Sequence, residues 1–153
     1  MRGMEGMEGM EGGRSRGSEA AGDPAALDET ARHWGEALFA EAPDGVSICR
    51  RGRILYANPR MHQMIGAGDG EVVGRATLEL YPAPDYASVL AQIQAMVFSG
   101  HPQPPARLRL LSMDGSVSPV EVARFLLPVG EERLVIEVIR CLGESAQQPE
   151  QAS

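Results

Sequence analysis

Two cysteines and three histidines are among the residues of this 153-residue chain whose side chains could bind a metal ion or take part in nucleophilic catalysis. Cys49 and Cys141 stand far apart in the sequence, so we expect both to be reduced and buried rather than joined to each other or to a metal. No Ser or Cys stands near a His in an arrangement typical of a nucleophile and its base. The sequence therefore predicts no catalytic residues and no metal site, and an enzyme is the least favoured class of function.

The carboxylates of the chain do not form a catalytic pattern either. Asp44, Asp85 and Asp114 occur where turns or helix caps are predicted, and local hydrogen bonds to the backbone account for an Asp at such positions. Glu121 and Glu137 fall within predicted strands, and we expect both to face water. The Gly-rich segments lack the spacing of a phosphate-binding loop.

The balance of charge and hydropathy excludes further classes of function. The formal net charge is −7 and every basic residue is Arg, which disfavours direct nucleic-acid binding because that requires clustered basic side chains. No apolar run approaches the ~18 residues of a membrane-spanning helix. The N-terminus alternates Met, Glu and Gly and lacks the basic and apolar regions of a secretion signal. We therefore expect a cytoplasmic protein.

The sequence divides into four parts. Residues 1–22 are a low-complexity leader that we expect to be disordered; it could be nonfunctional, a docking tail, or untranslated if synthesis begins at Met10. Residues 23–41 are predicted to form a flanking helix, 42–142 a single domain, and 143–153 a flexible tail. One domain of about 100 residues can bury a sufficient apolar core without metals or disulfides.

The flanking helix has clear local signals. Asp23 and Pro24 suit the N-cap and first helical positions. Leu27, Ala31, Trp34 and Leu38 follow at spacings of four, three and four, which is one apolar stripe on a helix. Because the stripe is narrow, we expect this helix to pack against a sheet or against a partner chain.

The domain itself alternates strand and helix patterns. Short strands over 46–50 and 53–57 form a predicted hairpin, Asn58-Pro59 begins a short helix, and 85–99 has the apolar periodicity of a longer one. Three strands follow over 107–113, 117–127 and 134–142, the first two joined by the turn dipeptide Asp114-Gly115. Strands at both ends of a helical middle predict an α+β fold with an antiparallel sheet and helices on one face.

Several motifs in this order resemble the PAS family. They are Ala42-Pro43-Asp44-Gly45-Val46, then Gly52-Arg53-Ile54-Leu55-Tyr56-Ala57-Asn58-Pro59, Met64-Ile65-Gly66, Val73-Gly74-Arg75, and Met113-Asp114-Gly115-Ser116 with Val120-Glu121-Val122. Each motif alone is weak, but their order matches the family over about two-thirds of the chain. The resemblance implies a five-stranded antiparallel sheet whose helices enclose a pocket on one face, in a single S-box-type module.

The resemblance also implies a function. PAS domains sense ligands, redox state or light, or pair with other proteins, and they usually precede kinase, cyclase or DNA-binding domains. This chain has no room for such an output domain, so we expect a stand-alone module of cytoplasmic signal transduction. Its expected partner is a histidine kinase of a two-component system, a transcription regulator, or a second copy of itself. A small-molecule or noncovalent cofactor sensor is the alternative.

We expect no cofactor, because the residues that bind the family's common cofactors are missing. Flavin-adduct members have a reactive Cys after the Asn-capped turn, and no Cys occurs between Asn58 and Tyr81. Haem-binding members commonly use a His on the long helix, whereas His101 stands just beyond it. We expect His62 and His101 to be solvent-exposed, and His33 to be exposed or at an interface. A noncovalent flavin or a small apolar metabolite stays open.

Two sets of candidate site residues follow. The resemblance implies a pocket, unless the same side chains simply fill the core, lined by Ile48, Met64, Ile65, Leu80, Val89, Ile93, Val97, Leu110, Val122, Phe125 and Ile136. An interface with a partner chain would use Leu27, Trp34, Leu38 and Phe39 of the flanking helix, because aromatic side chains on an apolar stripe often anchor interfaces. The alternative for this helix is that it only covers its own sheet.

Overall fold

The computed structural model describes residues 24–142, so the predictions for the leader and the tail lie outside the described residues. The elements follow the predicted order. They are α1 (Pro24–Phe39), β1 (Gly45–Arg50), β2 (Arg53–Ala57), α2 (Pro59–Ile65), α3 (Asp69–Val72), 3₁₀ helices at Thr77–Leu80 and Ala83–Asp85, α4 (Tyr86–Ser99), β3 (Ala106–Leu111), β4 (Val117–Val129) and β5 (Glu132–Cys141). Among these, no helix is long and apolar enough to cross a membrane.

The five strands form one antiparallel sheet in the order β2-β1-β5-β4-β3. The first and last strands of the domain, β1 and β5, therefore pair at its centre. The prediction of a five-stranded antiparallel sheet with a flanking helix is confirmed. One turn and one helix end follow their sequence signals. Arg51 and Gly52 both have positive φ (52° and 80°), as a two-residue hairpin turn of type I′ requires. Gly100 ends α4 as a C-cap in the left-handed region.

The sheet has an inner and an outer face, each with its own apolar cluster. On the inner face, α2, α3, α4 and the first 3₁₀ helix enclose a core that includes Ile54, Met61 and Val89. On the outer face, α1 packs its Leu27 and Ala31 against side chains of β1, β2 and β5. The helices of the domain proper are thus on one face, and the flanking helix is on the other.

The close approach of α1 to the sheet depends on a glycine. A Cβ atom at Gly35 would lie 2.4 Å from ring carbons of Tyr56, so any larger residue would push the helix and strand apart. An ion pair between Asp28 of α1 and Arg50 of β1, with 3.0 Å between nitrogen and oxygen, aligns the helix along the sheet. The stripe predicted for this helix therefore covers its own sheet through its N-terminal half.

Asn58 joins three elements at one point. Its Oδ1 accepts hydrogen bonds from the backbone N–H groups of Met61, at the start of α2, and Val46, in β1, each at 2.9 Å. Its Nδ2 donates to the carbonyl oxygens of Phe39 and Asp44, at 2.9 and 3.1 Å. The residue is fully buried, so all of these bonds replace hydrogen bonds to water.

We predict that Asn58→Ala destabilises the fold by about 2–4 kcal/mol, because it removes a helix cap and leaves buried backbone groups unpaired. Chemical denaturation followed by circular dichroism measures the free energy of unfolding. Pro59→Ala, at an exposed neighbouring position, is the control and should change stability by less than about 1 kcal/mol. Equal losses for the two variants would contradict the role assigned to the Asn58 side chain.

Candidate functional site

A buried ion pair lies on the inner face of the sheet, where the sequence predicts an apolar pocket. Glu137 on β5 and Arg124 on β4 are cross-strand neighbours, and the Arg124 Nε lies 2.8 Å from the Glu137 Oε2. The Glu137 side chain is 0% exposed and that of Arg124 is 7% exposed. A buried charge is stable only when partners replace the lost water, so the surrounding polar groups decide what this pair can do.

Two hydroxyl groups complete the environment of the carboxylate. Thr77 of the first 3₁₀ helix donates from its Oγ1 to the Glu137 Oε1 at 3.0 Å. Ser47 of β1 donates from its Oγ to the same oxygen at 3.4 Å. The Glu137 carboxylate is therefore held by groups from β1, β4 and the segment that precedes α4.

The guanidinium of Arg124 extends the network to the helices. Its Nη1 donates to the Oε1 of Gln92 on α4 at 2.9 Å, and its Nη2 donates to the hydroxyl of Tyr81 at 3.3 Å. We call Ser47, Thr77, Tyr81, Gln92, Arg124 and Glu137 the polar core cluster. It links the central strands of the sheet to both the 3₁₀ segment and the long helix.

The surroundings of this cluster favour a charged Arg124 and a neutral Tyr81 and Cys49. Burial, the largest single effect, lowers the pKa of Arg124, but Glu137 and Tyr81 together raise it by more, so the net pKa is raised and Arg124 stays protonated. Burial raises the pKa of the Tyr81 hydroxyl, and the negative charge of Glu137 raises it further. Burial likewise raises the pKa of the Cys49 thiol, with Glu137 adding to the effect. Tyr81 and Cys49 are therefore neutral beside the ion pair.

The structure brings together part of the predicted pocket set. Ile65, Leu80, Val89, Leu110 and Val122 are buried in the inner apolar cluster. Met64 and Ile93 pack against the same cluster and are partly exposed. Val97 lies near the C-terminal end of α4 and is half-buried, where its carbonyl accepts a hydrogen bond from Arg133. All of these except Val97 belong to or pack against the inner apolar cluster, on the same side of the sheet as the polar core cluster.

Three predicted pocket residues do not belong to this side. Ile48 and Ile136 lie in the outer apolar cluster, among the residues that α1 covers, and Phe125 is directly opposite Ile136 in the β4–β5 ladder. Phe125 is 44% exposed on that outer face. Assigning these three to an inner pocket was wrong, because the alternation of a strand puts them on the opposite face from Arg124 and Glu137.

The expectation that Glu137 faces water was also wrong. The strand period already indicates that Val135, Glu137 and Ile139 share a face, but a charged residue suggests that this face is the solvated one. The structure shows the reverse, because Arg124 on the adjacent strand supplies the opposite charge. The available signal was the cross-strand pairing of an Arg with a Glu, which requires knowing which strands are neighbours and in what register.

The predicted interface residues of α1 separate into two groups. Leu27 is 4% exposed and packs against its own sheet, which is inconsistent with a contact to a partner. Trp34 and Phe39 are half-buried at the margin of the same cluster. Leu38 is 68% exposed, on the solvent side of the helix. Of the four predicted residues, only Leu38 has a largely exposed side chain, and it lies near the C-terminal end of α1.

A cavity of about 600 Å³ lies beside the edge strand β2, outside the predicted pocket. Arg32 and Glu36 of α1 stand on one side, and Leu55, Pro59 and Val73 are among the apolar side chains that line the other. The half-buried His62, which we expected to be solvent-exposed, also lines this cavity, whereas His33 and His101 are exposed as expected.

A family model of the PAS fold matches residues 35–139. The chain belongs to the PAS family. PAS domains are signal-sensing modules found in histidine kinases and transcription regulators, and the fold generally serves sensing rather than catalysis. Among curated proteins, none matches this sequence.

Solved structures agree with the family assignment. The PAS domain of a Colwellia psychrerythraea protein aligns with a TM-score of 0.66 at 14% identity, covering 73% of this chain and 97% of that one. The PAS domain of an HTR-like protein from Haloarcula marismortui aligns with a TM-score of 0.55 at 26% identity, covering 75% and 99%. A PAS domain from a LuxR-family transcriptional regulator of Burkholderia thailandensis, solved in complex with ethanol, aligns with a TM-score of 0.59 at 18% identity, covering 70% and 96%.

We predict that the stability of the PAS domain depends on the two buried charges being paired, and less on the presence of either charge by itself. Glu137→Ala should cost about 3–5 kcal/mol, because it leaves the Arg124 guanidinium buried without a counter-charge. The double variant Arg124→Met with Glu137→Leu should recover most of that loss, since it removes both charges and keeps apolar volume. Urea denaturation of the three proteins measures the effect; a double variant less stable than Glu137→Ala would refute the interpretation.

We predict that only Cys141 reacts with a thiol reagent in the folded PAS domain. Cys49 is buried and its pKa lies above the ordinary value of 9.0, whereas Cys141 is half-buried. Because folding holds the Cys49 thiol protonated, its contribution to stability is full below pH 9.0 and declines as the pH rises further. Labelling with 5,5′-dithiobis(2-nitrobenzoate) between pH 7 and 9 should modify one thiol quickly, and Cys141→Ser should abolish that phase. A fast phase that survives in Cys141→Ser would contradict the burial of Cys49.

Proposed function

We propose that this PAS domain regulates signal transduction by binding a partner protein, either a histidine kinase or a transcription regulator, through the outer face of its sheet. The observation that carries the proposal is an apolar area on β4 and β5, beside the part of the sheet that α1 covers. We call it the outer sheet patch. It consists of Ala123, Phe125 and Val138, with Leu127 and Ile136 at its margin, where they pack against the cluster under α1.

The register of the strands defines this patch. Phe125 lies opposite Ile136, and Ala123 lies opposite Val138, so all four side chains point to the face that α1 shares. Helix α1 packs over β1 and β2, on the other half of that face. Phe125 is 44% exposed at the centre of β4. A large aromatic side chain in an exposed apolar area is typical of an interface anchor.

A signal would reach this surface through β5. Ile136 and Glu137 are consecutive residues that point to opposite faces, the first towards the cluster beneath α1 and the second into the polar core cluster. A change in the helices that hold the polar core cluster would shift β5 and alter the packing of α1 or of a partner on the outer face. Binding and core conformation would then bias each other, as a two-state equilibrium requires.

Affinity capture from native lysate, followed by mass spectrometry, tests the partner and the surface together. We expect a histidine kinase or a transcription regulator to be retained by the wild type and lost with Phe125→Glu. Val117→Glu is a matched control, because Val117 has the same exposure of 44% at the far end of the same strand. A partner that is retained equally by all three proteins would contradict the role of the outer sheet patch.

A small-molecule or noncovalent cofactor sensor is the second candidate. The Burkholderia thailandensis PAS domain in complex with ethanol supports it, because it shows that a domain of this fold accommodates a small polar molecule. Our own expectation is that the domain needs no cofactor. An absorption spectrum and a native mass of the purified protein distinguish these: flavin or haem absorption, or added mass, would favour the second candidate over the first.

A further inference from the structure

The long helix α4 has an unusual composition for a helix at the surface. Its sequence, YASVLAQIQAMVFS, contains no charged residue, whereas 23% of the whole chain is charged. A helix that covers one side of a core normally has charged side chains on its opposite face. The solvent side of α4 instead consists of alanine, glutamine, serine and large apolar residues.

The exposed side chains form a seam directly opposite the buried ones. Val89 and Met96 are buried against the domain. Ala87, Ala91, Gln94 and Phe98 are exposed, and their spacing of four, three and four residues places them on one line along the other side of the helix. Leu90 and Ala95 flank this seam and are exposed as well.

Phe98 is the most exposed large apolar residue of this surface. Its side chain is 95% exposed, and Leu90 is 43% exposed. Contact with water at a Phe and a Leu on the same uncharged face is costly, and burying each of them against another surface gains about 1.5–3 kcal/mol. The face therefore has the composition of a helix–helix contact rather than that of a solvated surface.

The order of large and small residues along the seam identifies what covers it. If an identical helix is placed antiparallel, with the two-fold axis between Gln92 and Ile93, Ala87 faces Phe98 of the second copy. The same operation sets Ala91 against Gln94 of the second copy. Each large side chain thus meets a small one, as close packing of two helices requires.

We propose that α4 is a self-association surface, through which two copies of this PAS domain pair with their long helices antiparallel. The surface that forms a two-fold interface must be complementary to itself, and the α4 seam meets this requirement. Charge supports a second copy as the occupant, because two chains of net charge −7 repel least where neither has a charge. The antiparallel arrangement also sets the C-terminal end of each helix beside the N-terminal end of the other, so that the two helix dipoles attract each other.

The size of the surface sets the strength of the dimer. A 14-residue helix is about 21 Å long, and one such pair buries less than the roughly 1,200–2,000 Å² of a stable interface. The dimer is therefore weak and forms only at high protein concentration. The surface belongs to the helical side of the sheet, so it is separate from the outer sheet patch and does not rest on the function proposed above.

Sedimentation equilibrium of the full chain, from micromolar to millimolar concentration, tests the proposal. The average mass of the wild type should rise from one chain towards two. Ala91→Glu places like charges on both sides of the seam and should weaken self-association by about tenfold or more. Met113→Glu introduces the same charge at a 47% exposed residue outside the helix and should associate like the wild type. Circular dichroism checks that each variant is folded.

Mixing two variants identifies the occupant as a second copy. Ala91→Glu and Ala91→Arg should each be monomeric alone, and an equimolar mixture should recover association, because the opposite charges then meet across the seam. A wild type that stays monomeric at every concentration, or a mixture that fails to associate, would overturn the proposal. Association that is lost with Phe125→Glu and kept with Ala91→Glu would also overturn it, and would assign the dimer to the outer sheet patch instead.

Discussion

The ion pair between Glu137 and Arg124 constrains the rest of this PAS domain, because two full charges sit in a core that has little water to solvate them. The desolvation of a carboxylate and a guanidinium costs several kcal/mol each, and their mutual attraction offsets this only when the remaining polar atoms are also paired. Thr77, Tyr81 and Gln92 supply those partners. The strands, the 3₁₀ segment and α4 must therefore dock together, since each one alone would leave a buried charge incompletely satisfied.

This requirement gives the inner face of the sheet a more sharply defined geometry than apolar packing alone would give. Side chains such as Ile65, Leu80 and Val89 can repack in several ways at small cost, whereas a carboxylate held by groups on three elements accepts few arrangements. A core of this kind suits a module that must report a change. Any displacement of α4 relative to the sheet disturbs the Gln92–Arg124 bond, and through Arg124 it reaches Glu137 and the central strand.

The two exposed apolar surfaces lie on opposite sides of that core. The outer sheet patch is on the face that α1 half covers, and the α4 seam is on the helical side. β5 and Arg124 connect both to the same buried ion pair. Contacts at either surface would therefore act on one network from two directions, which gives a physical route by which self-association and partner binding could influence each other.

The sequence by itself determined the order of elements and most of their ends, because caps and turns depend on neighbouring residues. Asn58 with Pro59 begins α2, Asp114 with Gly115 makes a hairpin turn, and Gly100 ends α4, as predicted. Only the tertiary structure decided which face of each strand lies inside. The period of a strand separates Ile136 from Glu137 but does not say which face α1 covers and which face Arg124 shares. That depends on strand order and register, which bring together residues far apart in the chain, and so the predicted pocket had three residues on the wrong face and lacked its central charge pair.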